Sequence, residues 1–376
     1  MVIYLRGDYM TIGIICEYNP FHNGHLHHLN EIKKLYPNST IILVMSTNFT
    51  QRGELSIINK WDKTDISIHY GIDLVIELPF KYATGSADIF AKGSINILKH
   101  IKVDKLIFGS ESNNINLLTK IANTQLNNNE FDIKVKQYLK EGLNYPTSLS
   151  NAIKDITNIS INTPNDLLGI SYIKEIIKQK ANIEPITIQR TNDFHGEESA
   201  SSIRNKLKNN QNINEFIPQY IHPYINKTFI DDYYDLIRYK ILSTNNLTIY
   251  QGIDKDLENR LKKYINKANT LEEYIIKLKT KRYTYNRLKR LMLHILVGYT
   301  KEENNKEYNY IRVLGFSGKG KQHLNKIKKE LTIPLITNYS NSKGLLDLEY
   351  KVNNIIYMNN PKLLNQELKE IVKYHH

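Results

Sequence analysis

Two histidines separated by Asn-Gly, His22-Asn23-Gly24-His25, are the side chains of this sequence best suited to chemistry. The apolar run Ile12-Gly13-Ile14-Ile15 upstream reads as a buried strand, and Cys16-Glu17-Tyr18-Asn19-Pro20-Phe21 joins it to the histidines. Downstream, Leu26, Leu29, Ile32 and Leu35 recur three residues apart among polar ones, one face of a helix. The pair therefore sits on a strand-to-helix turn. A helix N-terminus offers unpaired N–H groups and partial positive charge, which suit a phosphate. Gly24 lets the backbone come close to such a ligand, and the imidazoles can donate hydrogen bonds to charge that develops there. A lone histidine near a turn is more often a surface or satisfied core residue; two at this spacing in this setting favour a site. No Gly-x-x-x-x-Gly-Lys-Ser/Thr and no Gly-x-Gly-x-x-Gly occurs at the turn, which argues against ordinary P-loop and dinucleotide sites.

His22-Asn23-Gly24-His25 resembles the His-x-Gly-His motif of the nucleotidyltransferase superfamily. The longer string Glu17-Tyr18-Asn19-Pro20-Phe21-His22-Asn23-Gly24-His25 is more specifically similar to the tRNA(Met) cytidine acetate ligase family. That resemblance implies activation of acetate by ATP to acetyl-adenylate, then acetyl transfer to N4 of the wobble cytidine of elongator tRNA-Met. It implies ATP contacts from Ile15 through His28, thus including Cys16, Leu26 and His27, and at Gly109, Asn165, Arg190 and Thr191. Motif spacing by itself gives only a nucleotide at a strand–helix turn.

The elements that position the turn follow in order. Thr40–Met45 is a second buried strand, 58–70 a helix, Asp73–Pro79 a third strand, Ala87–Leu98 a helix and Lys105–Phe108 a fourth strand. Such alternation predicts an α/β fold with a doubly wound parallel sheet, whose ligands bind at the carboxyl ends of the strands. Gly109-Ser110-Glu111 then shares an edge with the histidines, as a ligand contact or as a simple strand-end turn. Residues 113–162, rich in Asn and Lys, read as a helical insertion. Asn165 opens the next helix, to about Gln179, and can cap it as well as meet a nucleotide. Arg190 follows a fifth strand, Pro185–Gln189, on the ligand edge; it can neutralise phosphate or carboxylate, or only form a surface ion pair. Ser201, Ser202 and Arg204 open a further helix and resemble a Ser-Ser-x-x-Arg triphosphate segment, with one residue in place of two before the arginine. Arg204 is expected to hold the leaving pyrophosphate.

Polar residues 209–212 and the prolines Pro218 and Pro223 mark an expected boundary between a catalytic domain, 10–215, and a mainly helical domain, 216–376. In the latter, Lys281-Arg282-Tyr283-Thr284-Tyr285-Asn286-Arg287-Leu288-Lys289-Arg290 reads as a helix with a basic face: Lys281, Arg282, Arg287, Lys289 and Arg290 for phosphates, tyrosines for stacking on unpaired bases. Such a face is often merely solvated; the resemblance implies tRNA.

The chain has 376 residues, enough for a sizeable core, and 51 Lys+Arg against 38 Asp+Glu give a net charge of +13, which suits a polyanionic partner. A single cysteine excludes an internal disulfide framework and a multi-Cys zinc site, and a reducing cytoplasm is the simplest setting. No apolar run approaches the roughly 18 residues of a membrane span. Residues 1–9 read as a short extension without function. The expectation is thus an ATP-dependent acetate ligase using ATP with Mg²⁺, with His22 and His25 catalytic and no dedicated metal cage. Two rivals remain: a small-molecule adenylyltransferase, and a non-catalytic tRNA-binding protein on a nucleotide fold.

Overall fold

In the computed structural model, which describes residues 10–190 and 199–375, the first half alternates strands and helices. They are β1 (Thr11–Cys16), α1 (Asn23–Leu35), β2 (Thr40–Ser46), α2 (Lys60–His69), β3 (Leu74–Leu78), α3 (Phe80–Ala83), α4 (Ala87–His100) and β4 (Lys105–Ser110). The insertion is helical as expected, α5 (Ile115–Asn127), α6 (Asn129–Lys140) and α7 (Tyr145–Thr157), and α8 (Pro164–Lys178), β5 (Glu184–Gln189) and α9 (Ala200–Lys208) follow. The strands are apolar runs because both faces of a parallel sheet are covered by helices: every residue of β2 and β3 is buried.

The strand order is β5-β4-β1-β2-β3, all parallel. From β1 the chain steps outward through β2 and β3, then returns to β1's other side with β4. The reversal falls between β1 and β4, so the crevice for a ligand opens beyond the ends of these two strands. The turn that follows β1 carries the histidines, and β4 carries Gly109.

Beyond residue 215 the chain is mostly helical: α10 (Tyr234–Ser243), α11 (Lys255–Tyr264), α12 (Leu271–Leu278), α13 (Tyr285–Val297) and α14 (Lys301–Asn305). It does not stay so. β6 (Ile311–Ser317) joins the same sheet antiparallel to β3, and after α15 (Gly318–Ile327) come β7 (Leu335–Ile336), α16 (Asp347–Ile356), α17 (Gln366–Lys369) and β8 (Lys373–His375), with β7 and β8 both paired to β6. The second half is mainly helical, as expected, but it is not separate from the first, since it also supplies strands to the same sheet. One core runs through both, from Ile42, Leu74 and Leu98 to Ile237, Met292 and Val352. The overlooked signal is Tyr310-Ile311-Arg312-Val313-Leu314-Gly315-Phe316, an apolar run broken only by Arg312. That arginine is fully buried and lies near Glu367, which also pairs with Lys60; Lys60 in turn donates to Glu77 at 2.9 Å.

Candidate nucleotide and RNA site

The histidine turn builds its own geometry. His22 is the N-cap of α1: its Nδ1 accepts the Gly24 N–H at 3.1 Å, and its own N–H donates to Nδ1 of His25 at 3.3 Å. This is a capping box made of two imidazoles in place of the usual Ser and Glu. Because both Nδ1 atoms accept from backbone N–H groups, the neutral rings must carry their protons on Nε2. The rings lie 3.8 Å apart. Burial, followed by Arg190 and Arg204, pushes the His22 pKa down to about 4. Burial and the charge of a neighbouring imidazolium hold His25 well below its ordinary range. At neutral pH the pair is two uncharged Nε2–H donors.

The motif is held from beneath. Leu29 and Ile32 bury α1 against the sheet, each contributing about 2 kcal/mol. Tyr18 packs edge-on against both Phe21 and His25, and Phe21 stacks on Tyr70. Lys63 of α2 donates to the carbonyls of Glu17 and Ser46, both at 2.8 Å, and to that of Thr47, tying together the carboxyl ends of β1 and β2. Burial pushes its ammonium down to about 7.

Around the turn opens a cleft of about 1240 Å³. Its lining brings together Ile15, Cys16, Glu17, Tyr18, Asn19, His22, Gly24, His25, His27, His28, Gly109, Asn165, Arg190, Ser201 and Arg204 from the expected nucleotide set, and Arg282, Arg287 and Arg290 from the expected RNA set. A Cβ on Gly109 would meet nothing nearer than Cβ of Arg190, 4.0 Å away, so the space over it belongs to the cleft. His28 lines the cleft with its enclosed Nε2 unbonded, a polar atom for a ligand to satisfy. Burial pushes the Cys16 thiol up to about 12, so it is no nucleophile at neutral pH.

Several expected residues lie elsewhere. Pro20, Phe21, Asn23, Leu26, Ser202, Lys281 and Lys289 do not line the cleft. Phe21 is core, and Asn23 faces away, its backbone and side-chain N–H groups donating to the carbonyls of Phe216 and Glu215 at 3.0 and 2.9 Å. Asn165 does not cap α8: Thr163 holds the N-cap position without a side-chain cap bond, and the Glu111 carboxylate receives the N–H of Asp166 at 3.1 Å and the Asn165 side-chain N–H at 2.6 Å. The cap of α9 is Ser199; Ser201 instead accepts from Arg52 and Arg204, each at 3.2 Å. Thr191 lies outside the described residues.

The basic helix is also corrected. Lys281 and Arg282 precede α13. Tyr283 is buried beneath Arg282 and Arg287, 5.5 and 4.9 Å from its ring centre, so it presents no free face for stacking, while Tyr285 is half-buried with its hydroxyl bonded to Glu272. Lys289 is buried and pairs with Glu54 at 2.9 Å; Arg290 donates to the carbonyl of Gln51 at 3.0 Å. Arg282 is exposed and Arg287 half-buried, and these two face the cleft mouth.

The loop Gln51-Arg52-Gly53-Glu54 was missed as part of the site. Gln51 N–H holds Glu17 Oε1 at 2.7 Å, Arg52 lines the cleft, and Glu54 pairs with Arg204. Its only sequence signal is four polar or flexible residues closing the polar loop that follows a buried strand, on the ligand edge.

A parallel sheet with a histidine-capped helix at its switch point and arginines around the cleft defines a nucleotidyl-transferring enzyme, and residues 9–370 match the family described as HIGH Nucleotidyl Transferase. Relatives are more particular. A tRNA(Met) cytidine acetate ligase of Geobacillus sp. (strain WCH70) is 39% identical over 361 residues, 89% of this chain and 90% of its own length. One of Mycoplasma mobile is 40% identical over 301 residues, 78% of this chain and 100% of its own. The crystal structure of Thermotoga maritima TmcAL bound with alpha-thio ATP is 28% identical with a TM-score of 0.89, covering 97% of this chain and 100% of its own. The chain belongs to the tRNA(Met) cytidine acetate ligase family. No helix of the described residues is long and apolar enough to cross a membrane.

Proposed function

We infer that this chain activates acetate with ATP and transfers the acetyl group to N4 of the wobble cytidine of elongator tRNA-Met, in the cytoplasm. The observation that carries the reading is the paired Nε2–H donors of His22 and His25 at a helix N-terminus on the switch point of the sheet. The alpha-thio ATP held by the Thermotoga maritima relative supports ATP as the substrate.

The acetate carboxylate needs no base, being ionised at pH 7. Its oxygen attacks the α-phosphorus, the bond from that phosphorus to the bridging oxygen of pyrophosphate breaks, and pyrophosphate leaves with the electron pair. The site's task is to offset charge: His22, His25 and the first N–H groups of α1 donate to phosphate oxygens as negative charge redistributes, and Arg190 and Arg52 supply full positive charge. Thr191 completes the nucleotide contacts in this reading, while Gly109 and Asn165 leave room for the nucleoside. Mg²⁺ accompanying ATP would be carried by the phosphates and would offset part of their charge. In the second step the cytidine amine attacks the acetyl carbonyl carbon, the bond to the AMP oxygen breaks, AMP leaves with the electron pair, and the proton lost by the amine passes to water. Arg282 and Arg287 draw the anticodon loop to the cleft; an unpaired base reaches it at little cost.

Incubation with ATP, Mg²⁺, labelled acetate and total tRNA tests the reading. Label recovered as N4-acetylcytidine supports it. Label absent from RNA, with pyrophosphate still released, points to another acid or acceptor.

A further inference from the structure

The carboxylate of Glu54 stands between two cations from opposite halves of the chain. One oxygen pairs with Nη2 of Arg204, the other with Nζ of Lys289 at 2.9 Å. Arg204 continues inward: Nη1 donates to the carbonyl of Asn19 at 2.6 Å, in the loop that carries the histidines, and its Nη2 also reaches Ser201. Lys289 lies on α13, which carries Arg287 into the lining of the cleft, with Arg282 just ahead of the helix start. Both cations are more than nine-tenths buried and Glu54 is about a fifth exposed. In such surroundings a shared carboxylate is held by geometry more than by screening solvent.

The loop that carries Glu54 is pressed onto the same helix. Gly53 has φ +77°, and a Cβ there would lie 2.4 Å from the backbone N of Arg290. Arg290 donates to the Gln51 carbonyl at 3.0 Å, and Gln51 N–H holds Glu17 in the cleft at 2.7 Å. The 51–54 loop thus links α13 both to Glu17 and to the ion pair that holds Arg204.

We propose that Glu54 is a positioning residue that couples RNA binding at α13 to nucleotide binding in the cleft, by sharing its carboxylate between Lys289 and Arg204. Bound RNA biases the helix, Lys289 alters its hold on Glu54, and the Arg204 guanidinium gains or loses freedom to meet phosphate. The inference rests on the proposed function in one respect: ATP and tRNA must both bind this chain. Coupling of this kind is reciprocal, so tRNA must change ATP affinity by the same factor as ATP changes tRNA affinity.

The test is a pair of equilibrium titrations, ATP with and without saturating tRNA and tRNA with and without saturating ATP, both without acetate so that no turnover occurs. Wild type should show equal factors of about fivefold or more in the two directions. Glu54→Gln and, independently, Lys289→Met should bring the factor toward one, and the double variant should go no further than either single one. A role confined to folding would change affinities or melting temperature and leave the factor intact, which overturns the proposal. So does a wild-type factor of one with both ligands binding. A wild-type chain that fails to bind ATP or tRNA overturns the functional reading itself. Should Glu54→Gln not fold, Lys289→Met carries the test alone, since it leaves the Glu54–Arg204 pair in place.

Discussion

Replacing His22 by Asn should flatten the acid limb of the stability curve, by an amount that follows from the turn. Asn is a strong N-cap whose side-chain oxygen can take the Gly24 N–H, and it does not titrate. In the folded protein His22 has its pKa lowered to about 4, against an ordinary value of 6.5. The unfolded chain therefore binds more protons between these values, and stability falls as pH drops from about 6.5 towards 4. Between pH 7 and pH 5 the unfolded state gains about 2 kcal/mol through this one group, while the folded state gains almost nothing. Wild type should lose about 2 kcal/mol more than His22→Asn over that interval, read as unfolding free energy from denaturant titrations at the two pH values. His28, also shifted down, remains in both proteins and cancels in the difference, whereas His25 loses in the variant the neighbouring charge that helps burial hold it down, which flattens the variant's acid limb further. Equal losses would refute the buried, neutral histidine. Ring ¹⁵N shifts should independently show a bare Nδ1 and a protonated Nε2.

Arg190→Met should reduce acetate-dependent ATP–pyrophosphate exchange by about 10- to 100-fold, the worth of a charge-assisted hydrogen bond, with tRNA affinity unchanged by filter binding. Replacing Arg282 and Arg287 together by Gln should weaken tRNA binding and lower the log–log salt slope by about 1.5 to 2, measured from 50 to 200 mM salt. Gly53→Val puts a branched side chain at φ +77° against the α13 backbone, 2.4 Å from its nearest atom at Cβ alone, and should cost at least about 1–3 kcal/mol in thermal or denaturant unfolding.

What the sequence disclosed depended on how local the information was. The His22–His25 turn was readable because cap, donors and preceding strand are contiguous. β1 to β4 were readable because strands covered on both faces are nearly unbroken apolar runs. β6 was missed because Arg312 interrupts its run; the charge belongs to a buried pairing with Glu367, 55 residues on, that no local window contains. Lys289 and Arg290 looked like solvated cations beside Leu288 and Met292. They turn inward because the 51–54 loop, 235 residues away at the Glu54–Lys289 contact, covers that side of α13. Contacts of this range decide which charges are free and which are already spent on structure, and one sequence carries almost no trace of them.

The neutral state of the histidine pair is enforced more than once, and this bears on why histidines stand there at all. With ring centres 3.8 Å apart, two imidazolium charges would repel by about 4 kcal/mol at an effective dielectric of 20. Arg190 and Arg204 disfavour even a single one. Each Nδ1 is already occupied by a backbone N–H, so protonating it would set donor against donor. Neutral Nε2–H groups can follow the phosphate oxygens through attack and departure without transferring a proton. The reaction asks for no proton in its first step, since acetate arrives ionised and pyrophosphate leaves as an anion. Permanent positive charge near the cleft then belongs to the arginines, among them Arg204, whose carboxylate partner also pairs with Lys289 on the helix that carries Arg287.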